Sequence, residues 1–156
     1  MTVAVLFMLA SGVQFAQVAS GANPMLGTWT LDPAKSRFSP GPAPKSQTAR
    51  LEAVDGGIRV VADRIESDGK ATHFEWTAKF DGNDYPVTGD PGRDAVSVRK
   101  TDPYTLEITN KKAGKVTSML RAVYAPDGKS RTETTTGTSP QGVKIENVAV
   151  WTKQLR

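Results

Sequence analysis

The stretch HFEWTAKFDG, residues 73–82, alternates apolar and polar side chains and ends in an Asp-Gly pair. Its apolar side chains recur at every second residue, namely Phe74, Trp76, Ala78 and Phe80. Because successive side chains of a β-strand point to opposite faces, this spacing puts one face in a core and the other in water. The stretch therefore predicts a half-buried strand over residues 71–81, with a tight turn at Gly82-Asn83.

The same two-residue period recurs along the chain, and turn dipeptides such as Asp55-Gly56 and Asp127-Gly128 separate the repeats at intervals of about ten residues. No segment shows a convincing helical stripe, which argues against a fold of alternating strands and helices. A long meander removes its two open edges by closing on itself. The predicted fold is all-β, a single antiparallel up-and-down barrel. We predict about ten strands, at residues 26–31, 46–55, 58–66, 71–81, 84–88, 94–100, 104–110, 115–125, 129–137 and 142–153.

The amino-terminal residues differ from the rest of the chain. Residues 3–10, VAVLFMLA, form an unbroken apolar run, and no charged side chain occurs before Asp32. The run is shorter than the roughly 20 residues of a membrane span but suits the core of a signal peptide, although no Lys or Arg precedes it. We predict a signal peptide over residues 1–22 and a periplasmic or secreted domain over residues 23–156, with no membrane segment after cleavage. A buried strand or helix is the alternative.

Composition argues against several classes of chemistry. The chain has no Cys, which excludes disulfides, thiolate metal sites and cysteine nucleophiles. Its one histidine, His73, lies on the polar face of its strand, so neither a histidine metal site nor Ser–His catalysis is expected. The net charge of +4 is spread without a basic block, so nucleic acid is not an expected partner. We predict no catalytic residue, metal or cofactor, and an enzyme is the least favoured class.

The first predicted strand carries a Gly-x-Trp motif within LGTWTL, residues 26–31. In a ten-strand meander this motif resembles the calycin superfamily of lipocalins and fatty-acid-binding proteins. Together with DGNDYPVTGDP and NVAVWTKQ, the stretch LGTWTLDPAKSRFSPGPAPKSQT is similar to a family of secreted bacterial lipocalin-like proteins, over nearly all of the mature chain. The resemblance implies that Gly27 brings the strand close, that Trp29 closes the barrel base, and that Lys153 lies near the Trp29 ring. It implies no particular activity.

Phe74, Trp76 and Phe80 share one face of the longest alternating strand, and Trp151 on the last strand is also predicted to point inward. They form either the wall of a ligand pocket or an ordinary core. The resemblance also implies that Arg121 matches a carboxylate-binding arginine on the eighth strand of fatty-acid-binding proteins. The Arg-x-Tyr pair of their last strand has no counterpart, since Ala149 and Trp151 stand there. Periodicity leaves open whether Arg121 points inward or into solvent.

The functional prediction is a noncatalytic binding protein that holds a small apolar or amphipathic molecule. Phe74, Trp76 and Trp151 would contact the molecule, and Arg121 would serve any acidic head group. The alternative is a protein-interaction module such as a secreted inhibitor, which would use loop tips or residues 32–45. That segment contains four prolines and is predicted to be a flap across the barrel mouth.

Overall fold

A computed structural model describes residues 23–139 and 141–155, and within them the chain forms ten strands. Each strand pairs with the next in antiparallel orientation, and β1 also pairs with β10, so the sheet is a closed barrel. The predicted fold class is confirmed. The strands are β1 Gly27–Arg37, β2 Ser46–Val54, β3 Gly57–Ile65, β4 Ala71–Lys79, β5 Asp81–Thr88, β6 Ala95–Asp102, β7 Thr105–Lys112, β8 Lys115–Tyr124, β9 Ser130–Thr138 and β10 Lys144–Lys153.

The amino-terminal prediction concerns residues 1–22, which lie outside the described residues. In the described part of the chain, no helix has the length and apolar character needed to cross a membrane. The predicted signal peptide and export therefore stay predictions.

The two ends of the barrel differ in their connections. Tight turns after β2, β4, β6 and β8 lie at one end together with residues 23–26, and we call this end the base. The connections after β1, β3, β5, β7 and β9 lie at the other end, which we call the mouth.

Trp29 closes the base, as predicted. Its side chain is 0% exposed, and its indole Nε1 donates a hydrogen bond of 3.0 Å to the Met25 carbonyl. Lys153 pairs with Trp29 across β1 and β10, and its Nζ lies 4.9 Å from the centre of the Trp29 ring. The same Nζ donates to the Pro24 carbonyl at 2.9 Å. Gly27 adopts a φ of 125°, a conformation that only glycine reaches without strain.

The predicted turn between β4 and β5 is displaced. Phe80 makes the turn, and its backbone N–H donates to the Gly56 carbonyl at 3.0 Å, whereas the sequence predicted Gly82-Asn83. Asp81-Gly82 instead begins β5, where the register against β6 shifts before Asp84. Gly82, with a φ of 75°, provides the backbone conformation at this irregularity.

The pairing of β4 with β5 is short. In the described residues it consists of Glu75 with Thr88 and Trp76 with Val87. Pro86 immediately precedes this paired part of β5, as expected for a residue that cannot donate to a strand ladder.

The proline-rich segment is an irregular connection only in its second half. β1 continues to Arg37, although its register against β10 shifts after Asp32. In the irregular part, the Val150 N–H donates to the Ser36 hydroxyl at 2.9 Å, which keeps the strand attached. The segment from 38 to 45 then lies at the mouth, where Phe38 lines the cavity and the Ser39 carbonyl accepts the Glu146 N–H at 2.9 Å. The prediction of a flap from residue 32 was therefore wrong for residues 32–37.

Gly89, just after β5, is a tightly constrained residue at the mouth. Its φ is 84°, and a Cβ placed there would clash with the His73 carbonyl oxygen. Gly142 has a similar φ of 81° but no neighbouring atom within 4 Å of such a Cβ, so it is a matched control. We expect Gly89→Ala to lower the free energy of unfolding by about 1–3 kcal/mol more than Gly142→Ala, because only the first adds overpacking to backbone strain. Urea denaturation measures the free energy of unfolding of both variants. Equal losses would contradict the close contact between Gly89 and the His73 carbonyl.

Candidate functional site

The barrel encloses a cavity of about 440 Å³, within the range of small-molecule sites. The connections at the mouth contribute Phe38, Arg93 and Gln141 to its lining, so the cavity extends to that end. Along its length the wall is mainly apolar, formed by Ala49, Leu51, Ile58, Val60, Ala62, Phe74, Trp76, Leu106, Ile108, Leu120, Ala122, Ala149 and Trp151.

Three of the four predicted ligand-binding residues lie on this wall. Phe74 and Trp76 are buried on β4, and Trp151 is buried near the end of β10. Both β4 residues point inward because β4 alternates strictly between buried and less buried positions. Of the aromatic face predicted from residues 73–82, Phe74 and Trp76 therefore line the cavity, whereas Phe80 lies in the turn after β4 and does not.

Arg121, the fourth residue, is on the outside. On β8 the buried side chains next to it are Ala122 and Tyr124, so Arg121 is exposed and does not line the cavity. The implied interior position of Arg121 is wrong. The period of β8 was ambiguous because its outer face also carries apolar side chains, Met119 and Val123, which are 57% and 43% exposed.

The arginine nearest the base of the cavity is Arg131, at the start of β9, and it is 5% exposed. Its Nη2 lies 3.0 Å from a Glu133 carboxylate oxygen, and its Nη1 donates to the Tyr124 hydroxyl at 3.1 Å. The second Glu133 oxygen accepts the indole N–H of Trp151 at 3.0 Å. The guanidinium carbon is 4.5 Å from the Trp151 ring centre and 5.1 Å from that of Trp29. This base cluster links the buried aromatics of β1, β8 and β10.

Burial raises the pKa of Tyr124, and the positive charge of Arg131 partly opposes that shift. Tyr124 is thus a neutral phenol at physiological pH, able to accept the hydrogen bond from Arg131. Its ring packs edge-on against Trp29, with the ring centres 5.4 Å apart.

Two further arginines line the cavity at the mouth. Arg93 follows β5, and its Nε donates to Asp90 at 3.0 Å while its Nη1 donates to the Asn110 side-chain oxygen at 2.6 Å. Arg64 is the last residue but one of β3, and its Nε donates to Glu66 at 2.7 Å. Burial lowers the pKa of Arg93; Asp90 opposes this shift, and the nearby charge of Arg64 adds to it.

Phe74 lies beside both mouth arginines. The guanidinium carbon of Arg93 is 5.0 Å from the centre of the Phe74 ring, and that of Arg64 is 5.5 Å away. These are cation–π distances. The predicted aromatic wall thus has a cationic end at the mouth.

Sequence reasoning missed all three interior arginines. Arg131 and Glu133 lie on the same face of β9. The other residues of this strand are mainly Thr, so neither face could be recognised as apolar from the sequence. Arg93 lies in a connection, where periodicity says nothing. Arg64 follows Val60 and Ala62 at two-residue spacing and so lies on the same face of β3. That spacing could have predicted its inward position.

His73 is exposed, and its Nδ1 lies 2.7 Å from an Asp63 oxygen at the barrel surface, away from the cavity lining. Within residues 23–139 and 141–155, no three His, Asp or Glu side chains are grouped closely enough to hold a metal ion.

The closed ten-strand antiparallel barrel is compatible with a calycin-like fold. No model of a known protein family matches the chain, and a comparison with curated proteins found no significant match.

Proposed function

We propose that the protein is a noncatalytic binding protein that holds a small apolar or amphipathic molecule inside its barrel. The cavity of about 440 Å³ supports this proposal most directly. Protein interiors are close-packed and contain few voids larger than a water molecule, so a void of this size is unusual for a barrel that serves only as a scaffold. Its mainly apolar wall suits an apolar surface, and its extension to the mouth suits entry from solvent.

The fold also supports a relationship to the calycins, and we propose that the chain is a lipocalin-like member of that superfamily. Gly27, Trp29 and Lys153 lie at the base in the arrangement that the resemblance implies. We further propose that the protein acts in the periplasm or outside the cell, on the basis of the apolar run at residues 3–10.

Ligand binding can be followed through the tryptophans of the cavity wall, Trp76 and Trp151. We expect an apolar fluorescent probe to quench tryptophan emission with saturation at micromolar concentration. Val60→Trp should weaken the binding by about tenfold or more, because Val60 lines the cavity and the larger ring would fill it.

The matched control is Val123→Trp, which adds the same ring to the outer face of β8. This variant should bind the probe like the wild type, and circular dichroism verifies that both variants are folded. If no apolar or amphipathic probe binds the wild-type protein at micromolar concentration, the proposed function is wrong.

The competing proposal is a protein-interaction module. The exposed side chains of Val116, Met119 and Val123 on the outer face of β8 favour it. Scattered exposed apolar residues are nevertheless normal on protein surfaces, whereas a large interior void is not. The cavity therefore favours ligand binding over this alternative.

A further inference from the structure

The three arginines of the cavity differ in how fully their N–H donors are used. At the base, Arg131 bonds to Glu133 and Tyr124. Its Nε is buried and has no hydrogen-bond partner among the described residues. Because the guanidinium lies against the rings of Trp29, Tyr124 and Trp151, a ligand would have to repack the base cluster to reach that atom. Arg131 is therefore poorly placed to receive a ligand group.

The mouth arginines have donors to spare. A guanidinium carries five N–H groups. Arg64 uses its Nε with Glu66, and Arg93 uses its Nε and Nη1 with Asp90 and Asn110. No hydrogen bond joins either Arg64 terminal nitrogen, or Nη2 of Arg93, to another residue in the described part of the chain. Their side chains are 24% and 16% exposed, so both are partly sheltered but reachable.

The cavity wall also carries more positive than negative charge. Arg64, Arg93 and Arg131 line it, against two carboxylates, Asp90 and Glu133. Glu66, the partner of Arg64, lies at the rim and does not line the cavity. The two mouth guanidinium groups also repel each other, which an anion between them would relieve. Partial burial strengthens such an interaction relative to water.

We propose that the ligand is an amphipathic acid whose anionic group binds Arg64 and Arg93 at the mouth, while its apolar part extends past Phe74 toward the base. This inference rests on the proposed function and adds a chemical class and an orientation. The planar guanidinium forks match the oxygens of a carboxylate, and charge-assisted hydrogen bonds of this kind are the stronger ones. The deep end stays apolar and aromatic, because Arg131 is already neutralised by Glu133.

Displacement of the fluorescent probe by dodecanoate and by dodecanol tests the inference, since the two compounds differ in their head group. We expect the wild-type protein to bind dodecanoate at least about tenfold more tightly than dodecanol, as charged hydrogen bonds would provide. Arg64→Ala and Arg93→Ala should each remove most of that preference by weakening dodecanoate binding, with little change for dodecanol.

Arg121→Ala is the control, because Arg121 is an exposed arginine on the outer face. It should leave both affinities unchanged. Arg93 also holds the connection after β5 through Asp90, so thermal unfolding verifies that its variant is folded. Arg64→Lys, at a more exposed position, keeps the test informative if Arg93→Ala does not fold. This variant should retain part of the preference for the acid.

The outcomes separate the two proposals. Equal wild-type affinities for dodecanoate and dodecanol would overturn the head-group inference and leave the binding function standing. Equal losses for both compounds in folded arginine variants would also overturn it, since the arginines would then not act on the acidic head group. If neither compound nor the probe binds, both proposals are wrong.

Discussion

Replacing Trp29 by alanine is expected to lower the free energy of unfolding by about 3–5 kcal/mol, the range for a fully buried aromatic side chain. Trp29 is 0% exposed and contacts Tyr124 edge-on, and the cationic groups of Arg131 and Lys153 lie 5.1 and 4.9 Å from its ring centre. Removing the ring leaves a cavity at the base and removes the aromatic ring that the cationic groups of Arg131 and Lys153 contact. Urea denaturation followed by circular dichroism measures the loss.

Tyr104→Ala is the control, because Tyr104 is an aromatic residue in the turn after β6 and is 38% exposed. Tyr104→Ala should lower the free energy of unfolding clearly less than Trp29→Ala does. Trp29→Phe should fall between the two, since phenylalanine restores a ring but not the hydrogen bond to Met25. A loss below about 1 kcal/mol for Trp29→Ala would show that the base does not depend on this side chain.

Replacing Arg131 by alanine is expected to destabilise the fold by a similar amount, about 3–5 kcal/mol, because it removes a buried guanidinium and leaves the mostly sheltered carboxylate of Glu133, 15% exposed, without its ion-pair partner. Glu133 would keep the indole N–H of Trp151 as its hydrogen-bond donor, and Tyr124 would lose the donor to its hydroxyl. The exposed Arg121 provides the control, and Arg121→Ala should change the free energy of unfolding by less than about 0.5 kcal/mol.

The double variant Arg131→Met/Glu133→Leu distinguishes an unpaired charge from a loss of packing. Replacing both members of a buried ion pair with apolar groups of similar volume is often close to neutral. The double variant leaves the Trp151 indole N–H unsatisfied, at a cost of about 1–3 kcal/mol, while the Tyr124 hydroxyl loses its donor in both variants. We therefore expect the double variant to be more stable than Arg131→Ala. If it is equally or less stable, packing around the rings rather than charge pairing explains the loss.

Most strands could be predicted from the sequence because their signals are local. In β4, alternation at Phe74 and Trp76 is a property of neighbouring residues, and it correctly placed both side chains on the inner face. The turn after β4 was misplaced because its position depends on a distant contact, the hydrogen bond from Phe80 to Gly56. The Asp81-Gly82 pair has the residues of a turn but serves as an irregularity at the start of β5.

The site was harder to predict because it depends on register. On β8, exposed apolar side chains at Met119 and Val123 hid the period, and a shift of one residue exchanges the two faces of a strand. That shift decides whether Arg121 enters the cavity. Arg131 and Glu133 come together with Trp151 because β9 and β10 pair in one particular register, which places Arg131 opposite Trp151.

The sequence by itself determined that this protein is an all-β barrel of about ten strands with an aromatic inner face, because a two-residue period and Asp-Gly turns act over neighbouring residues. Only the tertiary structure decided that the barrel is hollow and that Arg64, Arg93 and Arg131, rather than Arg121, line it. A cavity is the space left after every strand has packed, and the direction of an arginine follows from the pairing register of a whole strand. Neither is a property of any single stretch of sequence.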